Sequence, residues 1–120
     1  MAMAQDFRSG CPIATTLDLV GDRWTLVLIR DMIMGKSRYS EFLASPERIT
    51  TNILASRLQA MRVAGLVERE PYQERPRRFA YRLTRKGRDL HLVLTAITDW
   101  AVRHHPECWT PPEAFFAYKP

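Results

Sequence analysis

The 120-residue sequence predicts a mainly α-helical domain with one small β-hairpin. Apolar residues recur at helical spacing before residue 64 and again after residue 84. Between these regions, two short segments alternate apolar and polar side chains, as strands do. The length suits one hydrophobic core, and 46% hydrophobic with 26% charged residues is typical of a folded protein.

The first two helices are predicted on either side of Gly21 and Asp22. Pro12 suits the first turn of a helix, where its missing N–H costs no hydrogen bond. Residues 13–20 and 24–32 each place apolar side chains at helical intervals. Because glycine favours the position after a helix and aspartate the position before one, the two helices should meet at this pair.

A short helix and a longer one should follow. The segment Gly35-Lys36-Ser37 should end the second helix, and Phe42 should face inward from the short third helix. Ser45-Pro46 should end that helix, because the residue before a proline disfavours helical geometry. Thr50 is the expected N-cap of the fourth helix, and Gly65 should lie just beyond its end.

The second half of the chain should contain the hairpin and a last helix. Residues 66–69 and 78–83 read as strands, joined by a loop with two prolines over residues 71–77. Thr84 should cap a single long helix. Helix–turn–helix followed by a hairpin is the order of elements in a winged helix.

Three regions are therefore expected. Residues 1–10 should be a flexible N-terminus, and residues 11–105 should form the winged helix-turn-helix domain with its flanking helices. Residues 106–120 are rich in proline and aromatic side chains and should be an irregular tail.

The fourth helix has a polar side that its packing does not require. Its narrow apolar face consists of Leu54, Leu58 and Met61. Short polar side chains occupy its start and its other side: Thr50, Thr51, Asn52 and Ser56. The N-terminal end of a recognition helix lies nearest the base edges, where asparagine pairs with adenine and threonine methyls contact thymine. The alternative is that Thr50 only caps the helix and the rest faces water.

The predicted hairpin is unusually basic. Eight basic and two acidic residues lie between Arg69 and Arg88, so this window carries +6 while the whole chain carries +5. Arg75, Arg77 and Arg78 should lie at its tip, and arginine binds phosphate through a planar fork of donors. Charges that protect a free strand edge from aggregation are the alternative, but they do not explain this asymmetry.

Several segments together resemble the HxlR-type transcriptional regulators, a winged-helix group related to MarR-like proteins. The matching segments are Cys11-Pro12, Gly21-Asp22-Arg23-Trp24, residues 35–42 (GKSRYSEF), residues 49–65, Leu66-Val67-Glu68-Arg69, Tyr81-Arg82-Leu83-Thr84 and Gly87. Each is weak alone, but their order and spacing are specific, and they cover about residues 11–105.

The resemblance implies a homodimer, joined through the N- and C-terminal helices, that binds double-stranded DNA at a pseudo-palindromic operator. It implies DNA contacts from five residues of the recognition helix: Thr50, Thr51, Asn52, Ser56 and Arg57. Arg75, Arg77 and Arg78 would contact DNA through the wing, and Arg38 would touch a phosphate.

Some members of this family sense oxidants or electrophiles through a cysteine at the position of Cys11. This residue precedes Pro12 at an expected helix start, where the helix dipole favours a thiolate, and Arg8 lies close in sequence. Cys11 is therefore a candidate redox sensor, and a small-molecule or oxidant effector is expected. A buried thiol packed at the dimer seam is the alternative.

Other chemistries find little support. His91, His104, His105 and Cys108 match no zinc-binding spacing, so no metal or other cofactor is expected. No nucleophile with its base, phosphate loop or carboxylate pair is visible, which argues against an enzyme, including a thiol-dependent one. Two distant cysteines, no signal peptide and no membrane span indicate the cytoplasm. A winged-helix module that binds protein instead of DNA is the remaining alternative.

Overall fold

A computed structural model describes residues 6–120. The elements in chain order are α1 Pro12–Val20, α2 Thr25–Ile33, α3 Tyr39–Leu43, α4 Thr51–Val63, β1 Val67–Glu74, β2 Arg77–Leu83, α5 Arg85–Arg88, α6 His91–His104 and α7 Glu113–Ala117. The winged helix-turn-helix predicted from the sequence is confirmed, with α3 and α4 as the helix-turn-helix and β1–β2 as the wing. Residues 1–5 of the expected flexible N-terminus lie outside the described residues.

The junction of α1 and α2 shows why Gly21 and Asp22 stand there. Asp22 accepts hydrogen bonds from the backbone N–H groups of Trp24 and Thr25 at 2.8 and 2.9 Å and so satisfies donors at the start of α2, although Trp24 and not Asp22 occupies the N-cap position. Gly21 does not adopt the left-handed backbone expected after a helix, since its φ is −79°. A Cβ at this position would instead collide with the carbonyl oxygen of Leu17. Gly65 does adopt the left-handed backbone, with φ at 75°.

The core lies between α2, the helix-turn-helix and the base of the wing. Seven large apolar side chains there are almost fully buried: Leu28, Ile29, Phe42, Leu54, Leu58, Met61 and Leu66. Each contributes about 1.5–3 kcal/mol by leaving water. Because α4 contributes three of them from one face, its orientation in the domain is fixed by packing, and its opposite face is left outward.

The wing is longer than the sequence indicated. Residues 71–77, expected to form a loop, are mostly strand, and Arg75-Pro76 alone connects β1 to β2. The register pairs Glu74 with Arg77 next to this turn, and a bulge lies between Pro71 and Gln73. Proline is tolerated in β1 because a two-stranded sheet leaves one side of each strand free of hydrogen-bonding partners.

The expected single long helix after Thr84 is wrong. Thr84 caps the short helix α5, and the chain bends at Asp89 and Leu90 before α6 begins at His91. Gly87 brings α5 against the wing base so closely that a Cβ would overlap the carbonyl oxygen of Leu66. That contact fixes α5 in place against the residue that precedes β1.

The tail is not wholly irregular either. α7 inserts Phe115 into the core, where it is 4% exposed. The His91 Nε2 atom lies 2.7 Å from the carbonyl oxygen of Phe115, and the centre of its ring lies 5.1 Å from that of Phe115 and 5.3 Å from that of Tyr118, with the ring planes tilted. The last turn of the chain is thus ordered by contacts with the start of α6, and the sequence pattern of the tail contains no sign of them.

We expect Gly87→Ala to lower the free energy of unfolding by about 1–3 kcal/mol, because the new methyl group must displace backbone atoms of Leu66. Urea unfolding followed by circular dichroism measures this. Gly10→Ala is the matched control, since a Cβ there meets no atom within 4 Å. Equal stability of the two variants would contradict the close packing of α5 on the wing base.

A second prediction concerns the ion pair between α2 and the helix-turn-helix. Arg30 donates to both Glu47 carboxylate oxygens at 2.7 and 2.8 Å, which holds the pKa of Glu47 below its usual value. A lowered folded-state pKa stabilises the protein above the unfolded-state value, and that stabilisation is lost as the pH falls through the folded-state value. Glu47→Gln should therefore cost about 1 kcal/mol at neutral pH and progressively less below about pH 4.3.

Urea unfolding over a pH series tests this, with Glu74→Gln as the control. Glu74 is exposed and has no ion-pair partner within residues 6–120. A Glu47→Gln penalty that stays constant down to acidic pH would show that the charge of Glu47 does not contribute.

Candidate nucleic-acid interface

The outward side of α4 matches the polar side inferred from the sequence. Leu54, Leu58 and Met61 are buried, while the first two turns expose Thr51, Asn52, Ala55 and Ser56 to solvent. These side chains are short and uncharged, so a surface can approach the helix closely. The start of α4 therefore offers hydrogen-bonding groups and methyl groups together, the two features that read base edges in a major groove.

Two other residues assigned to this helix have structural partners. The Thr50 hydroxyl accepts a hydrogen bond from the backbone N–H of Ile53 at 3.4 Å, which is the capping role expected of it. Arg57 is half-buried, and its guanidinium lies 3.6 Å from the Asp22 carboxylate. Arg57 thus links α4 to the junction of α1 and α2.

The charge of Asp22 is stabilised at this junction. Burial raises the pKa of Asp22, but hydrogen bonds from the Thr25 hydroxyl and from backbone N–H groups outweigh it, and Arg57 adds to them. The net pKa lies below the usual value for aspartate. A single carboxylate therefore satisfies donors at the start of α2 and anchors α4.

The basic residues of the wing fall into two groups. Arg82 pairs with Glu68 at 2.8 Å and with Glu70 at 3.7 Å, and Arg85 pairs with Asp89. By contrast, three exposed arginines at the tip have no carboxylate within ion-pair distance among residues 6–120: Arg75, Arg77 and Arg78. Among residues 6–120, the hairpin guanidinium groups without a carboxylate partner are therefore these three at the tip and that of Arg69.

Arg38 connects the helix-turn-helix to the wing. It precedes α3, and its guanidinium lies 3.8 Å from the centre of the Tyr72 ring in β1. Glu41 accepts hydrogen bonds from the backbone N–H groups of Ser37 and Arg38 at 2.9 and 3.0 Å, so the start of α3 is well ordered. The start of α3 and the wing thus lie side by side.

Sequence reasoning missed two cationic residues near this surface. Arg48 is exposed in the turn between α3 and α4 and has φ at 61°, which is unusual for a residue other than glycine. The Arg69 guanidinium lies over the Phe79 ring, with its central carbon 3.8 Å from the ring centre. The period-two pattern that places Phe79 and Arg77 on one face of β2 could have indicated this cluster, since Arg69 faces Tyr81 across the strands.

Cys11 is the N-cap residue of α1 and is exposed with a free thiol in this chain. Arg8, expected near it, instead donates to the Asp18 carboxylate at 2.6 Å. Cys108 is also exposed and free. The part of the chain that the structure describes contains no cluster of three metal-ligating side chains, and none of its helices has the length and apolar character to span a bilayer.

The flanking helices carry apolar surface that residues 6–120 leave exposed. On α1, Ile13 is 72% exposed, and on α6, Leu92 is 68% and Trp100 60% exposed. Large apolar side chains that share an exposed helix face are typical of surfaces that bind another protein.

Comparison with known proteins agrees with the resemblance noted in the sequence. The HTH-type transcriptional regulator YdeP of Bacillus subtilis is 36% identical over 101 residues, which is 84% of this chain and 78% of the relative. The chain spans 65% of the length of a related regulator from Mycobacterium tuberculosis, so that protein is longer.

Solved structures share the fold. PA1607, described as a transcription factor, has 36% identity and a TM-score of 0.73 over 88% of this chain and 71% of its own. The redox regulator HypR in its oxidised form has 34% identity and a TM-score of 0.69 over 78% and 96%, respectively. The family model of the HxlR-like helix-turn-helix, a group of regulators and not of enzymes, matches residues 19–108. The chain therefore belongs to the HxlR-like helix-turn-helix family.

Proposed function

We propose that this protein is a cytoplasmic transcriptional regulator that binds a pseudo-palindromic DNA operator as a homodimer. One observation carries the proposal. α3 packs on α4, Arg38 just before α3 contacts Tyr72 of the wing, and the start of α3 borders the same cavity as Arg77 and Arg78. A duplex laid along α3 would meet both α4 and the wing.

The residues divide by what they offer to DNA. Asn52, Thr51 and Ser56 have the size and hydrogen-bonding capacity to read base edges. Arg75, Arg77 and Arg78 have free guanidinium groups for phosphates or for a narrow minor groove. Arg38 suits a phosphate beside α3, while Thr50 and Arg57 contribute mainly by holding α4 in place and by contacting the backbone nearest to them.

Dimerisation supplies the second half-site. The apolar faces of α1 and α6 lie on the flanking helices and leave the winged helix free. Pairing two chains through them hides this surface and presents two α4 helices to one duplex. A dimer of this kind binds half-sites about one helical turn, roughly 34 Å, apart.

The effector is an oxidant acting on Cys11. The similar protein HypR is a redox regulator whose structure was solved in an oxidised form. Cys11 is accessible and caps α1, one of the two proposed dimer helices, so oxidation there changes the surface that sets the spacing of the two recognition helices.

Two substitutions distinguish contacts to base edges from contacts to phosphates. Asn52→Ala should cost about 1–3 kcal/mol on the operator and almost nothing on random DNA. Arg77→Ala should weaken both equally and reduce the slope of log K against log salt by about 1. Fluorescence anisotropy at several salt concentrations measures both.

Arg85→Ala is the control, since that exposed arginine is paired with Asp89 outside the proposed contact surface. Equal losses of affinity for operator and random DNA in Asn52→Ala would show that Asn52 does not recognise a base. Wild-type protein that binds no genomic fragment at low salt would favour the protein-binding alternative.

Peroxide should change operator affinity of the wild-type protein by about fivefold or more, the size of ordinary coupling between two sites. Cys11→Ser should abolish the response and Cys108→Ser should retain it, because both thiols are exposed and only Cys11 caps a dimer helix. Anisotropy before and after peroxide measures the change. A response that survives in Cys11→Ser would remove this residue as the sensor.

A further inference from the structure

A cavity of about 320 Å³ lies between the start of α3 and the inner face of the wing. Its walls combine aromatic rings and arginines, among them Tyr39, Arg69, Tyr72, Arg77 and Phe79. Among residues 6–120, no acidic side chain lines it. A volume of this size accommodates a small organic molecule and is larger than a single phosphate group requires.

The arginines in the cavity are oriented but unpaired. The central guanidinium carbon of Arg69 lies over the Phe79 ring, 3.8 Å from the ring centre, and that of Arg77 lies 5.4 Å from the same centre. Stacking uses the face of a guanidinium and leaves the N–H donors on its edge free. Within residues 6–120, neither Arg69, Arg77 nor Arg78 has a carboxylate at ion-pair distance. The cavity therefore has cationic donors that could bind an anionic ligand.

The opposite wall adds neutral hydroxyl groups. Burial raises the pKa of the Tyr39 phenol, so this side chain stays protonated and can donate a hydrogen bond at neutral pH. Ser40 adds an exposed hydroxyl beside it. The ring centres of Tyr39 and Tyr81 lie 6.1 Å apart with their planes tilted, so this wall also contributes aromatic surface.

We propose that this cavity binds a small planar aromatic carboxylate, with its ring against Tyr39 and its carboxylate held by Arg69 and Arg77. The aromatic walls distinguish such a ligand from a bare inorganic anion. Arg77 and Arg78 border the cavity and are also the proposed wing contacts to DNA. Resting on the proposed function, this overlap makes ligand and DNA compete for the same guanidinium groups.

Isothermal titration calorimetry of the full chain, without DNA, tests the site with 2-naphthoate as the probe. The neutral analogue 2-naphthamide should bind at least about tenfold more weakly, because it forms no charge-assisted hydrogen bonds. Arg69→Gln should weaken 2-naphthoate by about tenfold or more. Arg85→Gln is the matched control and should bind 2-naphthoate as the wild type does, since Arg85 lies outside the cavity.

Competition with inorganic phosphate distinguishes a site for a DNA-backbone phosphate from a site for an aromatic carboxylate. If phosphate displaces 2-naphthoate at equal concentration, the cavity is a site for a DNA-backbone phosphate, and the proposal of an aromatic ligand is wrong. Absence of 2-naphthoate binding, or an equal effect of the Arg69 and Arg85 substitutions, overturns it as well. Circular dichroism of each variant checks that the wing remains folded.

Competition is then measured separately by anisotropy with a genomic fragment. The apparent DNA affinity should fall as 2-naphthoate saturates the site, and this fall should be absent in Arg69→Gln. If 2-naphthoate binds but leaves DNA affinity unchanged, the competition is wrong. If the wild type binds no DNA, the proposed function fails while the calorimetric result stands.

Discussion

The orientation of the helix-turn-helix depends on one buried carboxylate. Asp31 is 3% exposed, and it is held by Arg30 at 2.8 Å and by the Ser45 hydroxyl at 2.6 Å. Lys36 in turn donates to Ser45 at 2.7 Å. A buried charge that loses a partner typically destabilises a protein by about 3–5 kcal/mol. The turn that carries Ser45 is thus strongly tied to α2, and the direction in which α4 leaves it follows.

The wing needs support of a different kind. Two strands alone are marginal in water. Here the backbone N–H of Tyr81 donates to the carbonyl oxygen of Ser37 at 2.8 Å, so the segment before α3 partly replaces a third strand. Stacking of Arg38 on Tyr72 continues that contact outward along the hairpin. Both contacts tie the hairpin to the segment before α3, and two of the residues involved, Tyr72 and Tyr81, also line the cavity between α3 and the wing.

Local sequence signals predicted most of the fold, because they report on short-range physics. The helix-start hydrogen bonds to Asp22 and Thr50, the glycine at Gly65 and the apolar face of α4 all follow from contacts or periodicity within a few residues. The bend at Asp89, the insertion of Phe115 and the pairing of Arg57 with Asp22 depend on residues distant in sequence. No periodicity within one segment contains that information, so these features required coordinates.

The basic window shows the same limit for the candidate site. Its formal charge of +6 suggested a uniformly cationic hairpin, yet Arg82 is paired with two glutamates across the sheet and Arg85 with an aspartate one turn away. Side chains directly opposite each other on paired strands lie close together, so an arginine can be neutralised by a glutamate that is distant in sequence. A count of charges along the sequence does not include such pairs. What remains free is a few guanidinium groups at the tip and in the cavity. Because each released counterion reflects one phosphate contact, the salt dependence of DNA binding should follow these few arginines and not the total charge.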